Sequence, residues 1–332
     1  VNPSVGGDKG PRILVIRCGA VGDTVMATCV IDPILARFPD AQIEWLATPG
    51  SAALFKHDPR MTQVHLLRHR KFPTWLTKTK RELVRSSRKR PFDWIVNLEV
   101  ARFLRPFVSA LKCRHLIGFN DALPWQDIHG VDNHRRVLAA GGFDLELAYP
   151  SLRGIAPSIT LPPRFVVLHP GNSHAVGRGR LNIRAWPEER WRALLLALHS
   201  KGIAVAVTGA PTEAELVRKV AGREGIDLAG RTTLPELIDV VGRAVVFVSS
   251  DTGPIHIAAA TGVPILGLYG PTRPSQTRPY GREGQVLLLH SDRPCIPCYG
   301  TPQQISCADN LCMSDLGVDL VLERVLERWD GR

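Results

Sequence analysis

The chain has 332 residues, 44% hydrophobic and 22% charged, with 42 Lys and Arg against 31 Asp and Glu. That composition excludes a disordered chain and leaves room for two cores; no apolar run approaches the roughly 18 residues of a membrane span. The opening "VNPSVGGDKGPR" lacks the charged-then-apolar layout of a secretory leader, so residues 1–11 read as a loose tail and the protein as cytoplasmic.

Residues 13–16, "ILVI", form the short all-apolar strand of a parallel sheet covered on both faces. The stretch "RCGAVGDTVMAT" follows, with the lone carboxylate Asp23 where strand gives way to a helix expected to run to Arg37. A carboxylate there can cap the helix, bind a nucleotide or do chemistry. "QIEWLAT", "QVHLL", "WIVNLE" and "HLIGF" repeat the strand signature, with a helix at "SAALFKH". Residues 68–90 hold ten Lys and Arg against the single acid Glu82. The run includes Arg68, Arg70, Lys71, Lys78, Lys80 and Arg81. It reads either as a solvated, partly helical surface or as a face for an anionic partner: nucleic acid, acidic lipid or phosphorylated glycan. No zinc-finger, homeodomain or aromatic-rich RNA-binding motif accompanies it, so nucleic acid is not the expected partner.

The Pro-rich stretch 150–164 reads as a linker, after which strands and helices alternate again. Strands are expected at "FVVLHPG", "IAVAVTG", "IDLAG", "VVFVSSDTG" and "VPILGLYG". Helices are expected at "PEERWRALLLALHSKG", "TEAELVRKVAGREG", "TLPELIDVVGRA", "GPIHIAAATG" and the C-terminal "VDLVLERVLERW". The expected class is therefore α/β: two Rossmann-like domains facing a central cleft. Residues 12–155 form the first, acceptor-binding domain, and residues 156–332 the second, nucleotide-sugar-binding domain with its C-terminal helix.

Three glycine-bearing strand ends, "HPGNS", "TGAPTEAE" and "SSDTGPIHIAAA", would converge on one crevice. The helix opening at "SDTGPIH" seats a phosphate on its N–H groups, with Thr252 and His256 as further donors. Alternatively, Asp251 or Thr252 merely caps that helix. Glu213 suits ribose hydroxyls, or is simply an acid at a helix start. Four of the seven cysteines, Cys295, Cys298, Cys307 and Cys312, fall as C-x2-C-x8-C-x4-C. They are free or redox-paired thiols, or the thiolate ligands of a structural metal.

"GDTVMAT", "HPG…WPEERW", "TGAPTEAE" and "SDTGPIHIAAATGVPILGLYGPT" together resemble glycosyltransferase family 9, the ADP-heptose:lipopolysaccharide heptosyltransferases, over about residues 12–328. The Cys-rich segment also looks like one found in that family. The resemblance implies the GT-B fold and inverting transfer of a heptose or related sugar from an ADP-sugar; fixed donors on the diphosphate would then do what a divalent ion does elsewhere, so no catalytic metal or other cofactor is expected. It implies an anionic glycolipid acceptor of the lipopolysaccharide inner core and peripheral placement at the inner membrane. It matches Asp23 to the catalytic base and assigns Asn172, Ser173, Arg184, Gly209, Glu213, Asp251, Thr252, Gly253 and His256 to the donor. Arg184 stands where the family commonly has Lys, and a longer basic insert, "SHAVGRGRLNI", precedes it. The basic run would then draw in the acceptor and the anionic membrane surface. A sugar-nucleotide epimerase of similar fold and a catalytically silent nucleotide-sugar-binding protein are the alternatives.

Overall fold

The computed structural model describes residues 10–171 and 182–331, in two compact units that divide after Leu152. The tail expected over residues 1–11 lies outside the described residues as far as residue 9; the Pro11 carbonyl already accepts the Gln42 N–H at 2.8 Å.

The first unit holds five parallel strands, β1 (Arg12–Ile16), β2 (Gln42–Ala47), β3 (Met61–Leu66), β4 (Phe92–Asn97) and β5 (Cys113–Gly118), in the order β3-β2-β1-β4-β5. Every residue of β1 is buried, because helices cover both faces of the central strands. The single helix expected from Asp23 to Arg37 is two helices, α1 (Val21–Ala27) and α2 (Ile31–Arg37), joined by a 3-10 turn at Thr28–Val30. Pro33 has no N–H to give the Cys29 carbonyl, and the Thr28 hydroxyl donates to the Val25 carbonyl at 2.7 Å, so the ladder tightens there. The basic run makes a loop, a 3-10 turn (Thr74–Leu76) and helix α3 (Lys78–Lys89). Leu83 of α3 and Phe107 of α4 (Arg105–Ala110) pack with Leu14, Ile16, Leu46 and Phe92. Helix α5 (Gly130–Ala140), absent from the sequence reading, completes this unit.

The second unit has six parallel strands, β6 (Val166–His169), β7 (Val205–Val207), β8 (Ile226–Asp227), β9 (Val246–Ser250), β10 (Ile265–Tyr269) and β11 (Val286–His290), ordered β11-β10-β9-β6-β7-β8. Helices α6 (Glu188–Ser200), α7 (Ala214–Ala221) and α10 (Val318–Asp330) contribute Trp191, Leu195, Val217 and Val325 to one core. Helices α8 (Leu234–Arg243) and α9 (Gly253–Thr261) contribute Val240, Val241, Ile255 and Ala258 to the other. Strand order reverses direction beside β1/β4 in the first unit and beside β6/β9 in the second. Loops leaving the carboxyl ends of such strands diverge to opposite faces and open a crevice, where ligands of this architecture bind.

Candidate active site

At the β1/β4 reversal, Arg17 leaves β1 and Leu98-Glu99 leave β4. The Arg17 guanidinium donates to the Leu98 carbonyl at 3.0 Å and lies 3.4 Å from Asp23 Oδ1 and 4.0 Å from Glu99 Oε1. Arg17 and Glu99 are buried, whereas the Asp23 side chain is 43% exposed. Asp23 sits in the first turn of α1, where its Oδ2 accepts the Ala20 N–H at 3.3 Å. The carboxylate thus helps cap its helix and still presents an open side, with a buried cation behind it. Capping and proton acceptance do not exclude each other at this position. Sequence reading passed over Arg17 and Glu99, which lie 82 positions apart and meet only because β1 and β4 are neighbours.

At the β6/β9 reversal, Gly171 follows β6, Gly209 follows β7 and Asp251 follows β9. Glu213 ends a 3-10 turn and folds back, its Oε2 accepting the Ala210 N–H at 2.7 Å. Its carboxyl group lies over Gly171 so closely that a Cβ there would stand 2.3 Å from Glu213 Cδ. Gly209 gives its carbonyl to the Gly230 N–H at 3.0 Å. His169, one residue short of this loop region, has Nδ1 3.0 Å from the Thr208 hydroxyl, and burial pulls its pKa down to about 4, so it is neutral at pH 7.

Arg184 is largely buried, with Nη1 3.5 Å from Asp251 Oδ2 and the guanidinium carbon 4.2 Å over the Tyr299 ring. Asp251 is itself buried, within 3.5 Å of the Tyr269 and Thr277 hydroxyls. Its carboxylate therefore faces Arg184 and these hydroxyls, which makes it a positioning group for the cation. Thr252 is the N-cap residue of α9, with extended backbone, but its hydroxyl makes no cap bond. Gly253 opens the helix and Pro254 supplies no N–H; His256 is buried in the first turn. Glu213 thus lies over the end of β6, and Arg184 and the start of α9 at the end of the neighbouring β9. Asn172 and Ser173 lie outside the described residues.

Residues 163–308 match the family model for glycosyltransferase family 9 (heptosyltransferase). The chain is 27% identical over 323 residues to lipopolysaccharide heptosyltransferase 1 of Pseudomonas aeruginosa, covering 86% of each chain. Among solved structures, it resembles the glycosyl transferase family 9 protein of Veillonella parvula with a TM-score of 0.76 and 16% identity, covering 97% of this chain and 98% of that one. It also resembles the E. coli heptosyltransferase WaaC with ADP, with a TM-score of 0.72 and 19% identity over 96% and 99% of the two chains. Residues 163–308 thus carry the glycosyltransferase family 9 pattern. The chain's two parallel-sheet units are those of the GT-B fold.

The Cys-rich segment borders Arg184. The Cys298 and Tyr299 N–H groups donate to the Pro271 carbonyl at 2.9 and 2.8 Å, which sets the Tyr299 ring on Arg184. Asn310 Nδ2 donates to the Ala185 carbonyl at 2.8 Å, one residue from Arg184. All four thiols are free. Burial, reinforced by the charges of Cys295, Cys298 and Cys307, pushes the Cys312 thiol up to about 11. Among the described residues no three His, Cys, Asp or Glu side chains are grouped as a metal-ligand set. Cys312 Sγ packs against Gly270 and lies 3.7 Å from Asn310 Oδ1.

The basic run divides. Arg68, Lys71, Lys78 and Arg81 are exposed, while Arg70 is half-buried and donates to the Cys18 carbonyl. Lys80 does not belong to an anion-attracting surface: it is 1% exposed, with Nζ donating to the carbonyls of Arg70 at 2.8 Å and Phe72 at 2.6 Å. Burial holds its pKa below the ordinary lysine value. The ammonium serves the loop, because two backbone carbonyls there turn inward and need a donor.

Proposed function

We propose that this chain is a family 9 glycosyltransferase that transfers a heptose, or a closely related sugar, from an ADP-sugar to a hydroxyl of an anionic lipopolysaccharide inner-core glycolipid, with inversion at the anomeric carbon. The observation that carries the reading is the pairing of two strand-end sites in one chain. One presents an open carboxylate, Asp23; the other presents a largely buried cation, Arg184, beside a helix N-terminus, with Glu213 over the neighbouring strand end.

Asp23 accepts the proton of the attacking acceptor hydroxyl, which keeps charge from building on that oxygen. The C–O bond to the diphosphate breaks as the new glycosidic bond forms on the opposite face, and that geometry inverts the centre. Negative charge then accumulates on ADP, where Arg184, the Gly253 N–H and His256 stabilise it; these fixed groups make a divalent ion unnecessary. Glu213 receives the ribose hydroxyls. Asp251 holds Arg184 in place, and Tyr299 flattens its guanidinium for a two-nitrogen grip on phosphate. Two solved structures of one similar protein, E. coli WaaC, support the donor assignment, one with ADP and one with ADP-2-deoxy-2-fluoro heptose. Exposed Arg68, Lys71, Lys78 and Arg81 attract the acceptor's phosphates, consistent with work at the cytoplasmic face of the inner membrane.

Calorimetric titration with ADP, ADP-heptose and a panel of UDP- and GDP-sugars tests the donor. Selective heat with the ADP ligands, followed by transfer to a phosphorylated core acceptor, is the expected result. Heat with a UDP- or GDP-sugar alone removes the ADP-heptose assignment.

A further inference from the structure

The loop between β3 and α3 spends apolar surface in an unusual way. Trp75 is 68% exposed, Leu76 53% and Phe72 51%, all within five residues. Single exposed apolar residues are ordinary, but three large ones in so short a segment mark a surface built for contact.

This loop is not loosely tethered. Buried Lys80 ties the carbonyls of Arg70 and Phe72. The Leu76 N–H and the Thr77 hydroxyl both donate to the Pro73 carbonyl, each at 3.1 Å, and Arg81 donates to the Trp75 carbonyl at 3.2 Å. His69 stacks on Phe72 with ring centroids 5.0 Å apart. Holding a loop in one shape costs backbone entropy, and burying an ammonium costs desolvation. Here both costs go into presenting three side chains to water.

Charge selects the occupant. Lys71 and Lys78 bracket the apolar residues, with Arg68 and Arg81 just beyond, and Glu82 is the one acid in residues 68–90. Aromatic and aliphatic tips rimmed by cations suit the boundary between phosphate headgroups and acyl chains. We propose that the Phe72–Leu76 loop is an interfacial anchor that seats this enzyme on an anionic bilayer, with Phe72, Trp75 and Leu76 entering the acyl boundary and Arg68, Lys71, Lys78 and Arg81 on lipid phosphates. The inference deepens the proposed function by supplying the surface on which a glycolipid acceptor would be met, its cations serving the phosphates of lipid and acceptor alike.

The test uses the full chain and vesicles of phosphatidylcholine with about one-third phosphatidylglycerol, without glycolipid or sugar nucleotide, so failure of the donor assignment leaves its result intact. In flotation assays, Phe72→Ser/Trp75→Ser/Leu76→Ser should lower vesicle partitioning at least tenfold with its melting temperature unchanged. Wild-type protein should bind more weakly at high salt and not at all to pure phosphatidylcholine. Undiminished binding by the triple variant overturns the anchor. So does undiminished binding with loss of a dimer in sedimentation velocity, which assigns the patch to a second copy. If the triple variant unfolds, lipids brominated in the acyl chain decide. Quenching of tryptophan emission that is lost in Trp75→Phe supports the anchor, and equal quenching in both proteins refutes it.

Discussion

Gly171→Ala tests the donor crevice without touching any group assigned to chemistry. A Cβ at this position would lie 2.3 Å from Glu213 Cδ and 2.4 and 2.5 Å from its two oxygens. Carbon atoms in contact sit about 3.5 Å apart, so the carboxyl group must retreat by about 1 Å. The obstacle is the free end of a half-exposed side chain, so the fold should absorb the change within about 0.5 kcal/mol. The displaced carboxylate gives up its 2.7 Å contact with the Ala210 N–H and the geometry it offers to ribose. Losing one hydrogen bond to a charged group costs about 1.5–3 kcal/mol, or roughly 10- to 150-fold in the ADP dissociation constant. Calorimetry of wild type, Gly171→Ala, Glu213→Ala and the double variant checks this. The double variant should bind ADP no more weakly than Glu213→Ala alone, because the methyl group then has nothing to displace. Wild-type affinity in Gly171→Ala, or losses that simply add, would refute the reasoning.

Asp23→Asn should lower transfer by two to four orders of magnitude while ADP affinity stays within about twofold, as radiolabelled transfer and calorimetry would show. Arg184→Ala should lower ADP affinity and also the melting temperature, because it strands the buried Asp251 carboxylate; adding Asp251→Asn should restore melting without restoring ADP binding. His169 has a folded pKa of about 4, below the ~6.5 of an unfolded chain, so its contribution is intact above pH 6.5 and declines as pH falls towards 4. The difference amounts to about 3 kcal/mol, and urea melts of His169→Gln against wild type across that window should show the two stabilities converging; parallel curves would exclude it.

Much of the fold follows from local pattern. "ILVI" and "VVFV" read as central parallel strands because both faces are covered and every position is apolar. Long-range or inverted patterns hide the rest. Helix α5 starts at His129, whose Nδ1 accepts the Val131 N–H at 3.1 Å, a cap outside the usual Ser, Thr, Asp and Asn set, and its buried face includes Asn133 and His134. Strand β11, "VLLLH", follows a Pro- and Arg-rich loop and pairs only with β10, so local sequence gives no register. Lys80 is hidden by company: nothing in a run of ten cations marks which one turns inward. In the candidate site, Asp23, Glu213 and the α9 entry were legible as residues at strand ends. The Arg184–Asp251 pair and the Tyr299 lid on that cation were not, since they depend on where the segment after β10 is laid.

The two units repeat one strand order yet place opposite chemistry at their reversals, and the proposed reaction accounts for that contrast. A hydroxyl becoming a glycosidic oxygen must shed a proton, so its site needs an acceptor that is charged, reachable and kept in orientation; Asp23 is open on one side and backed by Arg17 on the other. A departing diphosphate gathers negative charge, so its site needs fixed positive groups that do not reorganise as the bond breaks. Arg184, clamped between Asp251 and Tyr299 beside the start of α9, meets that requirement. Exchanging the two sets would leave a cation where a proton must be taken and a carboxylate where charge must be relieved. The same division explains why the Asp251 carboxylate beside Arg184 is buried, whereas the Asp23 carboxylate beside Arg17 is 43% exposed. A phosphate cradle gains from rigidity and exclusion of water, whereas a base must meet an acceptor arriving from outside.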